Sequence, residues 1–350
     1  MAKLTLKNAR IKAIYAAVPV PVEKTIDYPY FSEVEAKMFE KTTGINQRRV
    51  APNNVTCSDL CFKAATELLR DMDCREEIDL LLFVSQSADY FLPATSAILQ
   101  TKLGIPTTCM AFDVNLGCSG YVYGLMMANQ YLQNGSVKKV LLLAGDKSTI
   151  STHIQDKTAY PLFGDAGTAT LLEYDENSRN WFFDAGTDGS GAKAIMIEAG
   201  HSRMPYQSFV DEDTEVAPGI VRSKKHLVID GMAIFNFALN NVPKSINNVL
   251  ELSNLSIQEL DFIVLHQANQ LITDSIRKKY KQLIEKFPSS IQNFGNTSSA
   301  SIPLTLCTEM KDDLKNKELR LLFAGFGVGF SWATVLLSTK HVISKLVEYD

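Results

Sequence analysis

The sequence predicts an α/β protein in which helices cover both faces of a sheet. Continuous apolar runs such as Asp79–Ser85 and Val140–Ala144 are typical of strands that are buried on both faces. Segments with helical spacing of apolar residues separate these runs, as expected for an α/β sheet. Two similar endings, GDAGTATLL at 164–172 and GFSWATVLL at 329–337, favour a chain built from two duplicated halves.

Each half alternates strands and helices, and we place the boundary at a junction that begins at residue 177. The first half is therefore 1–176 and the second is 177–350. The polar segment 202–225 reads as an excursion outside the core. The predicted strands are 3–18, 79–85, 111–114, 140–144, 168–174, 261–265, 319–324 and 331–338, and the predicted helices are 31–41, 57–70, 94–103, 121–133, 231–252, 270–286 and 302–314.

Composition excludes several classes of function. Apolar residues make up 46% of the 350 residues and charged residues 21%, as in a globular protein with a sizeable core. The formal charge of −4 argues against a general nucleic-acid binder. Neither a signal peptide nor a membrane span is predicted, and no CxxC pair occurs among the six cysteines, so we expect a cytoplasmic protein.

Cys118 is the first candidate for chemistry. It lies in Gly117-Cys118-Ser119-Gly120, a tight turn between the strand 111–114 and an apolar helix. Because a helix N-terminus presents free N–H groups and partial positive charge, this position should favour the thiolate and could hold an oxyanion. A small buried core residue is the alternative, and this segment alone does not separate the two interpretations.

Three stretches of the second half offer partners for a cysteine nucleophile. His266 directly follows a buried strand, at the end of a sheet where α/β folds place ligands. Asn296 lies in a small, polar stretch before a helix. The segment Gly325–Phe330 has Gly-x-Gly spacing but joins two strands, so it is better suited to a close backbone approach than to phosphate binding. A core histidine and a capping turn remain the alternatives for the first two.

Taken together, these stretches resemble the thiolase-like condensing enzymes, specifically β-ketoacyl-acyl carrier protein synthase III. The resemblance begins at KTTGINQRRV (41–50) and covers most of the chain. It continues through AFDVNLGCSGY (111–121), FGDAGTA (163–169), HQAN (266–269), GNTSSAS (295–301) and GFGVGFSWA (325–333). It implies a layered αβαβα core, with the nucleophile from the first half and its two partners from the second.

The resemblance also implies a mechanism in two stages. Cys118 attacks an acyl thioester while the backbone N–H groups of Cys118 and Val328 hold the oxyanion. A malonyl group on the acyl carrier protein then loses carbon dioxide, and His266 and Asn296 stabilise the resulting enolate, which attacks the acyl-enzyme. The product is a β-ketoacyl thioester in fatty acid or specialised acyl-chain biosynthesis, and no cofactor or metal is required.

Further site residues follow from the same resemblance. Asn269 and Phe326 should line the substrate pocket, and Leu92 matches a side chain that a second subunit inserts into the pocket of a homodimer. The basic residues Arg277, Lys278 and Lys279 should dock the acidic carrier protein, although a solvated helix face would look the same.

The donor that loads Cys118 is open between acyl-coenzyme A and an acyl carrier protein. Met38 and Thr42 replace a Trp and an Arg that hold coenzyme A in common family members, which favours a carrier-bound donor. Two other functions stay open as well. The acyl group could pass to an alcohol or amine without decarboxylation, or the chain could be a non-catalytic partner of an active subunit.

Overall fold

The computed structural model describes residues 2–350, apart from the side chains of residues 281 and 282. Its strands are β1 (Ala2–Leu6), β2 (Ala9–Pro19), β3 (Val22–Lys24), β4 (Gln47–Arg49), β5 (Leu80–Val84), β6 (Met110–Val114), β7 (Lys139–Asp146), β8 (Ala166–Tyr174), β9 (Trp181–Thr187), β10 (Ile195–Met196), β11 (Thr214–Ala217), β12 (Ile220–Arg222), β13 (Val228–Ile229), β14 (Phe262–Leu265), β15 (Glu318–Gly327), β16 (Ser331–Lys340) and β17 (Ile343–Tyr349). Its α-helices are α1 (Glu33–Thr43), α2 (Cys57–Met72), α3 (Thr95–Leu103), α4 (Gly120–Leu132), α5 (Gly231–Ser253), α6 (Gln270–Arg277), α7 (Ile291–Phe294), α8 (Ser301–Glu309) and α9 (Lys311–Asn316).

Two sheets with the same internal plan hold eleven of these strands. The first has the order β17-β2-β8-β7-β5-β6 and the second has the order β1-β9-β16-β15-β14. In the first sheet β7 is antiparallel to β8 and parallel to β5, and in the second β15 is antiparallel to β16 and parallel to β14. The similar sequences at 164–172 and 329–337 run into β8 and β16, which occupy matching positions. The two sheets are thus duplicated units.

The ends of the chain are exchanged between the two sheets. β1 pairs with β9 in the second sheet, whereas β17 pairs with β2 in the first. The division of the chain between residues 176 and 177 stays a prediction. The topology shows in addition that the first and last strands each pair in the sheet of the other half.

The two sheets and their helices form five layers. Apolar residues of α4 and α8 fill the space between the sheets. Those of α2 and α3 cover the outer face of the first sheet, and those of α5 and α6 cover the outer face of the second. This is the layered αβαβα core that the family resemblance implied. Within residues 2–350, none of the helices has the length and apolar character that crossing a membrane requires.

Two predicted helices are shorter than expected. The helix predicted over 270–286 ends at Arg277, because Tyr280 and Leu283 leave the helical region of backbone angles. Leu283 is buried in the outer apolar cluster of the second sheet, so the local backbone follows tertiary packing. The helix predicted over 302–314 is divided at Met310, which is also non-helical and buried.

Candidate active site

Loops from both sheets bring the predicted residues to one cavity. Cys118 lies between β6 and α4, His266 follows β14, and Asn296 precedes α8. All three line a cavity of about 500 Å³, together with the Gly327-Val328 turn at the end of β15. His266 and Asn296, which follow Cys118 by 148 and 178 positions in the sequence, therefore share one site with it.

The turn after β15 approaches the sulfur so closely that only glycine fits. A Cβ atom built on Gly327 would lie 2.7 Å from the Cβ atom of Cys118 and 2.8 Å from its Sγ atom. The φ angle of Gly327, +156°, also disfavours a side chain. The backbone N–H groups of Val328 and Cys118 are then near enough to the sulfur to lower the pKa of the thiol.

The thiol is less acidic than its position in the sequence suggested. Burial raises the pKa of Cys118 to about 11, and the carboxylate of Asp146 adds to this rise. The two backbone N–H groups and the hydroxyl of Ser298 lower the pKa only in part. The expectation of a stabilised thiolate is therefore wrong for this structure, because desolvation of the anion outweighs the helix terminus. At neutral pH Cys118 is a thiol.

His266 is held as a neutral imidazole. It is 1% exposed, and burial lowers its pKa to about 3 against a partial opposing effect of its hydrogen bond to the Ser298 backbone. Its Nδ1 atom lies 2.7 Å from the hydroxyl of Ser301, and its ring packs edge-on against Phe326. If the hydroxyl donates to Nδ1, the ring proton resides on Nε2. The side chain is then a hydrogen-bond donor, not a cation.

Asn296 has one side of its amide already engaged. Its Oδ1 atom accepts a hydrogen bond of 2.9 Å from the N–H of Ser298. Its backbone N–H donates to Leu162 and its carbonyl accepts from Gly164, which fixes the residue beside a loop of the first half. This arrangement leaves the Nδ2 donor of Asn296 for a group in the cavity.

Asp146 is a site residue that the sequence interpretation missed. It ends β7 and is 2% exposed, and it lines the same cavity as Cys118. Its Oδ1 atom accepts from the N–H of Gln86 at 2.7 Å, and its Oδ2 atom accepts from the N–H and the hydroxyl of Ser299 at 3.2 and 2.8 Å. A polar residue at the carboxyl end of the VLLLA strand was the available signal.

The expected pocket residues divide into two groups. Asn269 and Phe326 line the cavity, and Asn269 also caps α6 by accepting from the N–H of Ile272. Leu92 is 86% exposed and is absent from the cavity wall of this chain. The segment 202–225, which read as an excursion, forms the β11–β12 ribbon and contributes Ile220 and Arg222 to that wall.

A groove of about 620 Å³ lies between α1 and α6. Met38 and Thr42 line it together with Lys278. Of the other predicted docking residues, Arg277 is paired with Asp274 at 2.8 Å, and Lys279 donates to the carbonyl of Leu239. No cluster of three or more His, Cys, Asp or Glu side chains that could bind a metal is found among the residues with described side chains.

Comparisons with known proteins agree on one family. The family models for 3-oxoacyl-[acyl-carrier-protein] synthase III and for its C-terminal part match residues 112–191 and 250–339. A putative 3-oxoacyl-[acyl-carrier-protein] synthase 3 of Campylobacter jejuni is 31% identical, covering 98% of this chain and 97% of the relative. A beta-ketoacyl-[acyl-carrier-protein] synthase III of Bacillus pumilus is 30% identical, covering 94% and 98%. A crystal structure of a 3-oxoacyl-(acyl-carrier protein) synthase from Burkholderia xenovorans superimposes with a TM-score of 0.93 at 37% identity, covering 99% of each chain.

Proposed function

Since the chain belongs to the 3-oxoacyl-[acyl-carrier-protein] synthase III family, it is an acyltransferase that condenses an acyl thioester with malonyl carrier protein, and we propose that Cys118, His266 and Asn296 carry out this reaction. The observation that carries the proposal is their convergence on one cavity of about 500 Å³ from three distant loops. A nucleophile and two neutral donors are the groups that acyl transfer followed by enolate formation requires.

In the first stage, Cys118 takes the acyl group. The N–H groups of Val328 and Cys118 lower the pKa of the thiol, so we place the oxyanion of the tetrahedral intermediate beside these two donors. Because Gly327 permits this approach, the turn after β15 acts as part of the oxyanion hole. The sulfur has to lose its proton as it attacks, since the thiol pKa is about 11.

In the second stage, the malonyl group enters and loses carbon dioxide. The negative charge then moves onto the thioester carbonyl oxygen. Nδ2–H of Asn296 can donate to it, and so can His266 in the tautomer that carries its proton on Nε2 while Ser301 donates to Nδ1. A neutral imidazole suits this role, because a histidine whose pKa is about 3 gives up no proton to the enolate and adds no charge to the cavity. Asn296 cannot ionise, so it acts only as a donor.

A carrier-bound acyl donor fits the groove between α1 and α6. Met38 is 70% exposed there and has no aromatic face on which an adenine could stack. Lys278 is exposed at the same groove, whereas Arg277 and Lys279 already engage groups of this chain. We therefore assign contact with the acidic carrier protein chiefly to Lys278.

A homodimer would account for two further surface features. β6 is an edge strand of the first sheet, and the nearby side chains of Tyr90, Phe91 and Leu92 are 65%, 72% and 86% exposed. Open strand edges and adjacent apolar side chains are features of association surfaces. In the dimer, Leu92 of one subunit would reach the acyl pocket of the other. We also place the enzyme in the cytoplasm, where its six free cysteines remain reduced.

Intact-mass analysis tests the loading stage. The protein is exposed to acyl-coenzyme A and acyl-carrier thioesters of several chain lengths, and Cys118→Ala is the control. We expect the acyl mass on the wild type only, with the carrier-bound donors preferred. Addition of malonyl carrier protein should then release carbon dioxide and remove the acyl mass from the enzyme. If the acyl group instead passed to an alcohol or amine without carbon dioxide release, the condensation would be excluded.

A further inference from the structure

The β11–β12 ribbon places a charged side chain in the wall of the active-site cavity. Ile220 and Arg222 stand two positions apart on β12 and both line the cavity, because alternate residues of a strand face the same side. Among the described residues that line the cavity, Arg222 is the only lysine or arginine. The mechanism proposed above gives this side chain no role.

The charge of Arg222 is balanced within the protein, but its hydrogen-bond donors are not used. Its Nε atom lies 3.5 Å from Oδ2 of Asp156, whose side chain is 1% exposed. This contact is an ion pair without hydrogen-bond geometry, since both atoms are buried and neither has a hydrogen-bond partner. The other oxygen of Asp156 accepts from the N–H and the hydroxyl of Thr158. The Nη1 and Nη2 groups of Arg222 donate to none of the described residues.

Two hydroxyl groups lie in the same wall. Ser148 and Ser151 belong to the connection between β7 and β8, and neither hydroxyl has a hydrogen-bond partner among the described residues. The ribbon side is fastened to this connection, because the N–H of Leu227 donates to the carbonyl of Ser151 at 2.7 Å. The rest of this wall is aliphatic and consists of Ile195, Ile197, Ile220, Leu227 and Ile229. An apolar wall with a few free polar groups is typical of a site that orients a small molecule.

The arm of a carrier-bound donor has another path through the cavity. α6 borders both the groove and the cavity, through Asp274 on the groove side and Ile272 on the cavity side. A donor that docks at the groove therefore brings its arm in along α6. Of the described residues that line the groove, none belongs to the β7–β8 connection or to the β11–β12 ribbon. The wall that holds Arg222 is thus left for the acyl group that Cys118 receives.

We propose that Arg222, with Ser148 and Ser151, binds a neutral oxygen atom on the acyl chain, so that the enzyme selects hydroxyacyl or oxoacyl donors over unsubstituted fatty acyl donors. This inference rests on the proposed loading of Cys118. The free Nη donors bind the oxygen, and the two serine hydroxyls donate to it or accept from it. An unsubstituted chain would cover the guanidinium without replacing its hydrogen bonds to water, and an unpaired polar group is a strong source of discrimination.

The charges around the cavity favour a neutral oxygen over a carboxylate. Asp156 already supplies the counter-ion of Arg222, and no second lysine or arginine lines the described part of the cavity. Asp146 lies in the same wall and is 2% exposed. A carboxylate on the acyl chain would add a negative charge to a site whose one cation is already paired. A hydroxyl or carbonyl oxygen adds no charge.

The test measures the rate at which the intact protein gains acyl mass in quenched samples. The probes are thioesters of N-acetylcysteamine, which share one short leaving group, so that only the acyl group varies. One probe carries octanoyl, three carry octanoyl with a hydroxyl near the thioester, in the middle or near the end, and one carries octanedioyl with its terminal carboxylate. The variant is Arg222→Leu. The control is Arg203→Leu, which changes an exposed arginine of the same segment, 202–225, outside the cavity wall.

We expect the wild type and Arg203→Leu to load one of the hydroxylated isomers about 10-fold faster than octanoyl, because a hydrogen bond to a charged group is gained. The octanedioyl probe should load most slowly. In Arg222→Leu the preference should disappear, since the rate with the hydroxylated isomer falls while the rate with octanoyl does not. The comparison within the wild type needs no variant, so it decides the question even if Arg222→Leu does not fold.

Three results would overturn the proposal. A wild type that loads octanoyl as fast as every hydroxylated isomer does not use the polar groups of this wall. A wild type that prefers octanedioyl would assign the guanidinium to a carboxylate. An equal loss of rate with all probes in Arg222→Leu would mean that Arg222 only supports the ribbon or holds the donor arm. A wild type that gains no acyl mass from any probe would instead contradict the proposed role of Cys118, and the acyl site with it.

Discussion

The two sheets end at the cavity in matching positions but deliver different chemistry. In the first sheet, β7 ends at Asp146, next to β5. In the second, β15 ends at the Gly327-Val328 turn, next to β14 and His266. Each pair of strands is parallel and occupies the same place in its sheet. A duplicated framework therefore places unlike groups around one cavity that also holds Cys118.

The comparison shows that burial shifts the pKa of an acid and the pKa of a base in opposite directions. Burial raises the pKa of Asp146 and lowers that of His266, since it disfavours the charged form of each group. Asp146 becomes more ready to take a proton, while His266 stays neutral and only donates hydrogen bonds. We expect the first sheet to serve acyl loading and the second to serve decarboxylation, with the Gly327 turn needed for both.

The largest effect is expected where the second sheet touches the sulfur. In Gly327→Ala, the new Cβ would lie 2.7 to 2.8 Å from atoms of Cys118, so the turn has to move away with the Val328 N–H. Loading and condensation should both fall about 100- to 1000-fold, the cost of losing an oxyanion donor. Gly189→Ala is the matched control, because nothing lies within 4 Å of its added Cβ. Equal rates for the two variants would refute the role of the turn.

Asn296→Asp separates the two stages. The carboxylate can still accept from the Ser298 N–H, but it replaces the Nδ2 donor with an oxygen. We expect carbon dioxide release from malonyl carrier protein to fall about 100-fold, because the enolate loses a donor and faces a negative charge. Loading of Cys118 should fall much less. Asn293→Asp, an exposed position on α7, should leave both rates unchanged.

The buried imidazole should make the protein sensitive to acid. The pKa of His266 is about 3 in the folded state and about 6.5 unfolded, so the unfolded chain binds more protons between these values. Stability is therefore lost as the pH falls below about 6.5, by about 2 kcal/mol from this residue on reaching pH 5.

Urea unfolding at pH 7 and pH 5 measures this loss. The variant His266→Gln lacks the titrating ring, so its stability should decrease by about 2 kcal/mol less than that of the wild type over this interval. The same decrease in both proteins would mean that His266 is not held neutral by the fold.

The smallest effect is expected at the surface groove. Lys278→Glu should raise the KM for a carrier-bound donor several-fold, through loss of attraction to the acidic carrier protein. Loading from an N-acetylcysteamine thioester should not change. Lys7→Glu is the control, because Lys7 is an exposed lysine that lies away from the groove. Its backbone N–H donates to Gln133, which follows the C-terminal end of α4, and Cys118 precedes the opposite end of that helix. An equal response of both substrates to Lys278→Glu would remove this residue from the docking surface.

Much of the fold could be predicted from local patterns. Apolar runs such as the one around Val140 became strands within one or two residues, because burial on both faces requires a continuous apolar segment. The exchange of β1 and β17 between the sheets could not be predicted, since pairing partners are set by long-range packing. The break of the 270–286 helix arose in the same way, from the burial of Leu283.

The candidate site, like the fold, was predicted from the sequence in part, and the rest depended on tertiary packing. The sequence by itself determined that Cys118, His266 and Asn296 stand next to strand ends and glycine-rich turns, because these motifs are local and their order along the chain is specific. Only the tertiary structure decided the state of these groups. It half-buried the thiol, buried the imidazole and placed Asp146 in the same cavity. Proton affinity depends on surrounding solvent and neighbours, which come from segments far apart in the sequence.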